Sequence, residues 1–200
     1  MVAEIALLWD GKTYLQKYLA SIGYESEVIA NPELLIPPLT PFKLAIVPAG
    51  FADRRFSKML DALRASRDSI RNFVQAGGTL LVSGAINEKV DAYDWLPSLN
   101  LKYKHKFGEV HVEVVAKHHE SAMLVEREIC MCDGYFDFVR GGEIILRGNK
   151  RPILVASSAG SAGAGEIIAT TVHEFPSKRF IAYCLRRKNR TRIFKDLNCE

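Results

Sequence analysis

AGGTLLVSGAIN (residues 76–87) is the stretch whose reading decides the fold. Gly77 and Gly78 stop a helix, TLLV is an apolar run of strand length, and Ser83-Gly84-Ala85 is a turn of small residues. In open α/β proteins the turn after such a strand lies at the carboxyl edge of the sheet, where ligands and nucleophiles sit. Ser83 and Gly84 are therefore the first residues to ask about chemistry.

Upstream, the pattern repeats. EIALLW (4–9) is an apolar run ended by Asp10-Gly11, and Leu15, Tyr18, Leu19 and Ile22 follow at helical spacing before Gly23. SEVIA (26–30) is a second strand, and prolines at 32, 37, 38 and 41 mark a loop. KLAIVPAG (43–50) is a third strand ending at Gly50. Phe56, Met59, Leu60, Leu63, Ile70, Phe73 and Val74 then fall near one helical face, with a break at Ser66-Arg67. The order β-α-β-β-α-β predicts a mostly parallel sheet with helices on both faces.

Beyond residue 100 the period changes to two. GEVHVEVV (108–115) alternates, while FDFV, EIILRG and PILVASS are short strands with hairpin turns expected at Gly141-Gly142 and Asn149-Lys150. GEIIATTV (165–172) is again a buried strand, and a terminal helix starts near Pro176-Ser177 with Phe180, Ile181, Cys184 and Leu185 inward. This predicts an added antiparallel, strand-rich section. No repeat or low-complexity linker divides the 200 residues, so a single domain spanning 1–200 is expected.

Composition narrows the function classes. With 48% hydrophobic and 25% charged residues the chain is of globular type. No window approaches 18 uncharged apolar residues, so no membrane span is expected, and four cysteines without a secretory leader suggest reduced thiols in the cytoplasm. The net charge of +4 is concentrated in RRKNRTR, where Arg186, Arg187, Lys188, Arg190 and Arg192 form one local basic patch. Nucleic acid is the partner such a patch would attract; a solvated helix end is the plainer reading. A homo-oligomer is compatible with all of this.

The motifs sort by what they lack. Gly11-Lys12-Thr13 opens a helix as a phosphate-loop lysine would, but Ala6 stands where the first loop glycine belongs. GSAGAG (160–165) lies between two strands instead of opening a helix, so it is a hairpin and not a dinucleotide site. CMCDG (130–134) puts Cys130 and Cys132 on one side of a strand, yet no CxxC accompanies them, so core thiols are expected and no metal or cofactor. His118 and His119 are adjacent and point apart; His119 is the one taken as a pocket residue. VHEFPS (172–177) delivers His173 and Glu174 at a strand end, a base with a carboxylate to orient it.

Taken together, KLAIVPAG, GGTLLVSG and AGAGEIIATTVHE before a terminal helix resemble the class I glutamine amidotransferase-like, flavodoxin-like superfamily. The flavour is that of trehalose-utilisation-type and biotin-protein-ligase N-terminal-type domains, with HHESAMLV matching their mid-chain segment. The resemblance implies a cysteine nucleophile at the elbow after the Gly-Gly strand, and that position is Gly84 here. His173 and Glu174 stand where the resemblance places a His-Pro-Glu, without the proline. No cysteine precedes Cys130, and Ser83 lacks the flanking glycines of a serine elbow.

The expectation is therefore an amidotransferase-like domain without glutaminase activity, binding a small ligand or a partner protein in a cleft lined by Asp10, Gly50, Gly84 and His173. Its alternative is a hydrolase or other enzyme using His173 and Glu174, with Asp133 or His119 joining and Ser83 as a substitute nucleophile.

Overall fold

Strand β1 (Ile5–Leu8) is completely buried and alternates its side chains between two cores: Ala6 and Leu8 on one face, Ile5 and Leu7 on the other. That is how a strand covered on both sides must be composed, which is why it reads as a continuous apolar run. In the computed structural model, which describes residues 3–37, 40–158 and 165–186, β1 pairs in parallel with β2 (Ser26–Ile29) and β3 (Leu44–Val47). β3 pairs in parallel with β4 (Thr79–Val82), and β4 with β9 (Glu166–Thr170). The expected parallel half is present.

Helices α2 (Met59–Ala65) and α3 (Arg67–Gln75) pack on one face through Met59, Leu60, Leu63, Ile70, Phe73 and Val74. Helices α1 (Tyr14–Ser21) and α4 (Lys178–Arg186) cover the other through Leu15, Leu19, Phe180 and Ile181. The break between α2 and α3 falls at Ser66, as its sequence suggested. Phe56 differs: it lies in the turn before α2 and is exposed, because its backbone N–H is held by the Asp53 carbonyl instead of a helical partner.

The second half is antiparallel. β5 (Asn100–Val114), β6 (Ile129–Arg140), β7 (Glu143–Gly148) and β8 (Arg151–Ser158) extend the sheet to nine strands in the order β2-β1-β3-β4-β9-β8-β7-β5-β6. The turn at Asn149-Lys150 joins paired strands, both residues having positive φ as a tight hairpin requires. The Gly141-Gly142 turn does not: β6 and β7 are not partners, because the 15-residue β5 stands between them and pairs with each along a different part of its length. The expected GSAGAG hairpin lies outside the described residues except for Gly165.

One closure positions the site. The outer edge of β6 returns to the chain leaving β9: Asp133 N–H donates to Thr171 O at 2.7 Å, His173 N–H donates to Met131 O at 2.8 Å, and Cys132 bridges Val172. β9, β8, β7, β5 and β6 thus form a ring of pairings, and Asp133 arrives beside His173 from a strand 40 residues away.

Candidate functional site

His173 stands at the carboxyl end of β9, one residue beyond the buried Val172. Its Nδ1 lies 2.7 Å from Asp133 Oδ1. The Asp133 side chain is only 1% exposed whereas His173 is 48% exposed, so an interior carboxylate holds a ring that reaches solvent. With Nδ1 engaged by the carboxylate, Nε2 is the ring nitrogen left for the accessible side. The Phe107 ring meets the imidazole edge-on at 5.4 Å between centroids, and Phe107 is itself largely exposed.

Asp133 is fixed from several directions. Its carbonyl accepts from the Tyr103 hydroxyl at 2.8 Å and contacts His105 Nδ1 at 2.7 Å. A carbonyl can only accept, so His105 carries its proton on Nδ1. Burial pushes the Asp133 carboxyl above its ordinary value, and His173 beside it pulls the other way. Its second oxygen, Oδ2, is buried without a hydrogen-bond partner among the described residues.

That second oxygen faces Gly84. A Cβ added at residue 84 would overlap Asp133 Oδ2 and stand 2.7 Å from its Cβ and 2.9 Å from its Cγ, distances no side chain tolerates. Gly84 and the Asp133 carboxylate are alternatives for one volume. The surrounding turn is committed to internal partners as well. Gly84 O accepts from Gly50 N–H at 2.8 Å, and Ser83 O accepts from the Tyr93 hydroxyl at 2.9 Å. The Tyr93 and Tyr103 hydroxyls lie beside this turn, where the backbone at Ala85 and Ile86 only partly counters the burial of the two rings. Burial raises both tyrosine pKa values, so both are neutral partners. Ile86 has φ of 49°, an uncommon conformation for a branched residue and a sign of a constrained turn.

The other residues singled out from sequence fall elsewhere. Glu174 Oε1 accepts from Met131 N–H at 2.8 Å, so it clamps β6 while Asp133 orients His173. Asp10 accepts from Ser57 Oγ at 2.6 Å and Lys58 N–H at 2.8 Å, tying β1 to the start of α2. Burial pushes its carboxyl up, but these two hydrogen bonds outweigh it and hold the pKa below the ordinary value. Gly50 has φ of +87° and meets Phe56. His119 lies at the opposite end of the sheet: its Nε2 is 2.8 Å from Oε1 of Glu166, the first residue of β9, and its Nδ1 is 2.8 Å from Ser121 Oγ. The structure thus gathers Gly84, Asp133 and His173, with Ser83 in the same turn as Gly84 and Gly50 hydrogen-bonded to that turn from the loop after β3, and leaves His119 outside.

Tyr103, His105 and Phe107 are residues that the sequence reasoning missed. The signal lies in YKHKF, three ring side chains at a spacing of two, but the clear apolar alternation starts only at residue 108. Cys130 and Cys132 are buried with Sγ atoms 3.8 Å apart, and Cys184 is buried too. Among the described residues no group of three or more His, Cys, Asp or Glu side chains is arranged to hold a metal.

The fold and the site define a mixed α/β protein whose large sheet carries a His–Asp pair at its parallel carboxyl edge. Comparison with solved structures finds the same fold elsewhere. A putative GMP synthase chain from Thermoplasma acidophilum superposes with a TM-score of 0.57 at 13% identity, covering 92% of this chain and 95% of that one. A β-galactosidase from Rahnella sp. R3 gives 0.56 at 15% identity, and one from Halorubrum lacusprofundi gives 0.57 at 13%. This chain spans 30% of the length of each of those two β-galactosidases. At such identities the likeness is one of fold alone. No family model matches the chain, and no curated protein matches it by sequence.

Proposed function

We propose that this chain is an amidotransferase-like, flavodoxin-like α/β domain that binds a small ligand or a partner at the strand-end site and does not hydrolyse glutamine. One observation carries the reading: the Asp133 carboxylate occupies the space that a Cβ on residue 84 would need. A side-chain nucleophile cannot be restored at residue 84 by substitution without displacing the Asp133 carboxylate. The superposition on the putative GMP synthase chain over nearly its whole length supports the architecture.

His173 Nε2 and the Phe107 ring are left at the surface, a polar ring atom beside an apolar face, which suits a small molecule or peptide with a hydrogen-bonding group next to an apolar one. Amide and imidazole NMR shifts of the full chain, titrated with a small-molecule fragment library, test this. Perturbations gathered at Ile86, Phe107 and His173 are expected; binding confined to other surfaces would overturn it.

A second reading is favoured by the His173–Asp133 geometry: an enzyme with His173 as general base and Asp133, in place of Glu174, as the orienting group. A nucleic-acid role through the basic patch is a separate alternative. Arg186 ends α4, exposed, and Arg187, Lys188, Arg190 and Arg192 lie outside the described residues. Salt-dependent binding to RNA or DNA would be its mark.

A further inference from the structure

Cys130 and Cys132 lie on the same side of β6 with their sulfurs 3.8 Å apart, in van der Waals contact and unlinked. Both are buried in the core beneath α1 and α4. Between them is Met131, the residue through which β6 is tied to the candidate site. Its N–H donates to Glu174 Oε1 at 2.8 Å, and its carbonyl accepts from His173 N–H at 2.8 Å. Cys132 itself bridges Val172, and its next neighbour is Asp133. The thiol pair and the His–Asp pair therefore share one short piece of backbone.

We propose that Cys130 and Cys132 are a reversible peroxide-modification site, whose disulfide form loosens the hold of β6 on His173.

Same-side neighbours in an extended strand stand about 6.8 Å apart at Cα, the outer limit of about 6.8 Å for a disulfide. Bridging them contracts the strand by puckering it at Met131, the residue whose N–H and C=O hold Glu174 and His173. A thiolate-bound metal fits less well, because two sulfurs fall short of a four-ligand site and no third His, Cys, Asp or Glu ligand joins them among the described residues, whereas a disulfide needs only the pair. Cys130 is the attacking sulfur. It sits next to exposed Ile129 near the end of β6 and is the sulfur that opening of that strand end reaches first. Burial makes the reaction depend on local opening of that strand end, so it is slower than for a free thiol.

The chemistry balances with hydrogen peroxide as oxidant. Cys130 sulfur attacks one peroxide oxygen, the O–O bond breaks, and the departing hydroxide takes the thiol proton as water, leaving a sulfenic acid. Cys132 sulfur then attacks Cys130 sulfur, the S–O bond breaks, and the hydroxide leaves with the second thiol proton. Two thiols and one peroxide give one disulfide and two waters.

The test uses the full chain carrying Cys184→Ala and Cys199→Ala, so that only the two thiols remain, with folding checked by circular dichroism. Peroxide is expected to remove two hydrogens by intact mass, reversibly with dithiothreitol, and to move the His173 imidazole resonances. Cys130→Ala and Cys132→Ala, each added singly, are expected to abolish the intramolecular mass loss. Retention of both free thiols under peroxide in the folded parent would overturn the site. A disulfide that leaves the His173 resonances unmoved would overturn its coupling to the His–Asp pair. Neither readout involves the ligand, so the outcome is separate from the ligand-binding reading.

Discussion

Gly84 and Asp133 share one small volume, and the chemistry of the site turns on which of them fills it. The carboxylate does, so residue 84 must lack a side chain. Gly84→Ala is expected to destabilise the fold by about 1–3 kcal/mol, the usual range for overpacking, measured by urea unfolding; unchanged stability would mean that Asp133 moves aside freely. Asp133 gives a prediction with a sign. Burial raises its folded pKa above 3.8, so the folded state prefers the protonated form. That preference stabilises fully below the unfolded value and is lost as pH rises through the folded one. Asn keeps a neutral acceptor for His173 at every pH. Asp133→Asn should therefore gain stability relative to wild type as pH rises above about 3.8, read from paired denaturation curves. A gap that closes with rising pH would show that His173 fully offsets the burial of the carboxylate.

At the scale of elements, the decisive event is the return of β6 to the chain leaving β9. Nothing local announced it. TTVHE read as a strand end because its apolar run stops there, and that was legible from periodicity. CMCDG gave no such signal. Its pairing with Val172 spans 40 residues, and alternation says which residues share a face but not which strand they meet. For the same reason sequence proximity assigned Glu174 to His173, whereas the fold assigns Asp133 and uses Glu174 on the Met131 N–H. The two carboxylates should separate on substitution. Glu174→Gln is expected to cost about 1 kcal/mol or less and to leave the His173 Nδ1–H resonance in place, while Asp133→Ala should remove that hydrogen-bonded resonance. The opposite pattern in the NMR spectra would restore Glu174 as the orienting group.

Across the whole molecule, the parallel half was legible because doubly covered strands and amphipathic helices write their burial directly into composition. The antiparallel half was legible as strands but not as pairings: β5 begins eight residues earlier than its clearest alternation, and it separates β6 from β7. The candidate site lies on the seam of the two halves, its turn supplied by the parallel strands and its carboxylate by the antiparallel ring. This is why Gly84 and His173 were readable and Asp133 was only one candidate among several. No helix among the described residues is long and apolar enough to cross a membrane. The most direct measurement is ammonia release from glutamine by the purified full chain, compared with its His173→Ala variant. No glutamine-dependent ammonia above the protein-free control is expected for either protein. Turnover by the wild type that disappears in His173→Ala would contradict the proposed function.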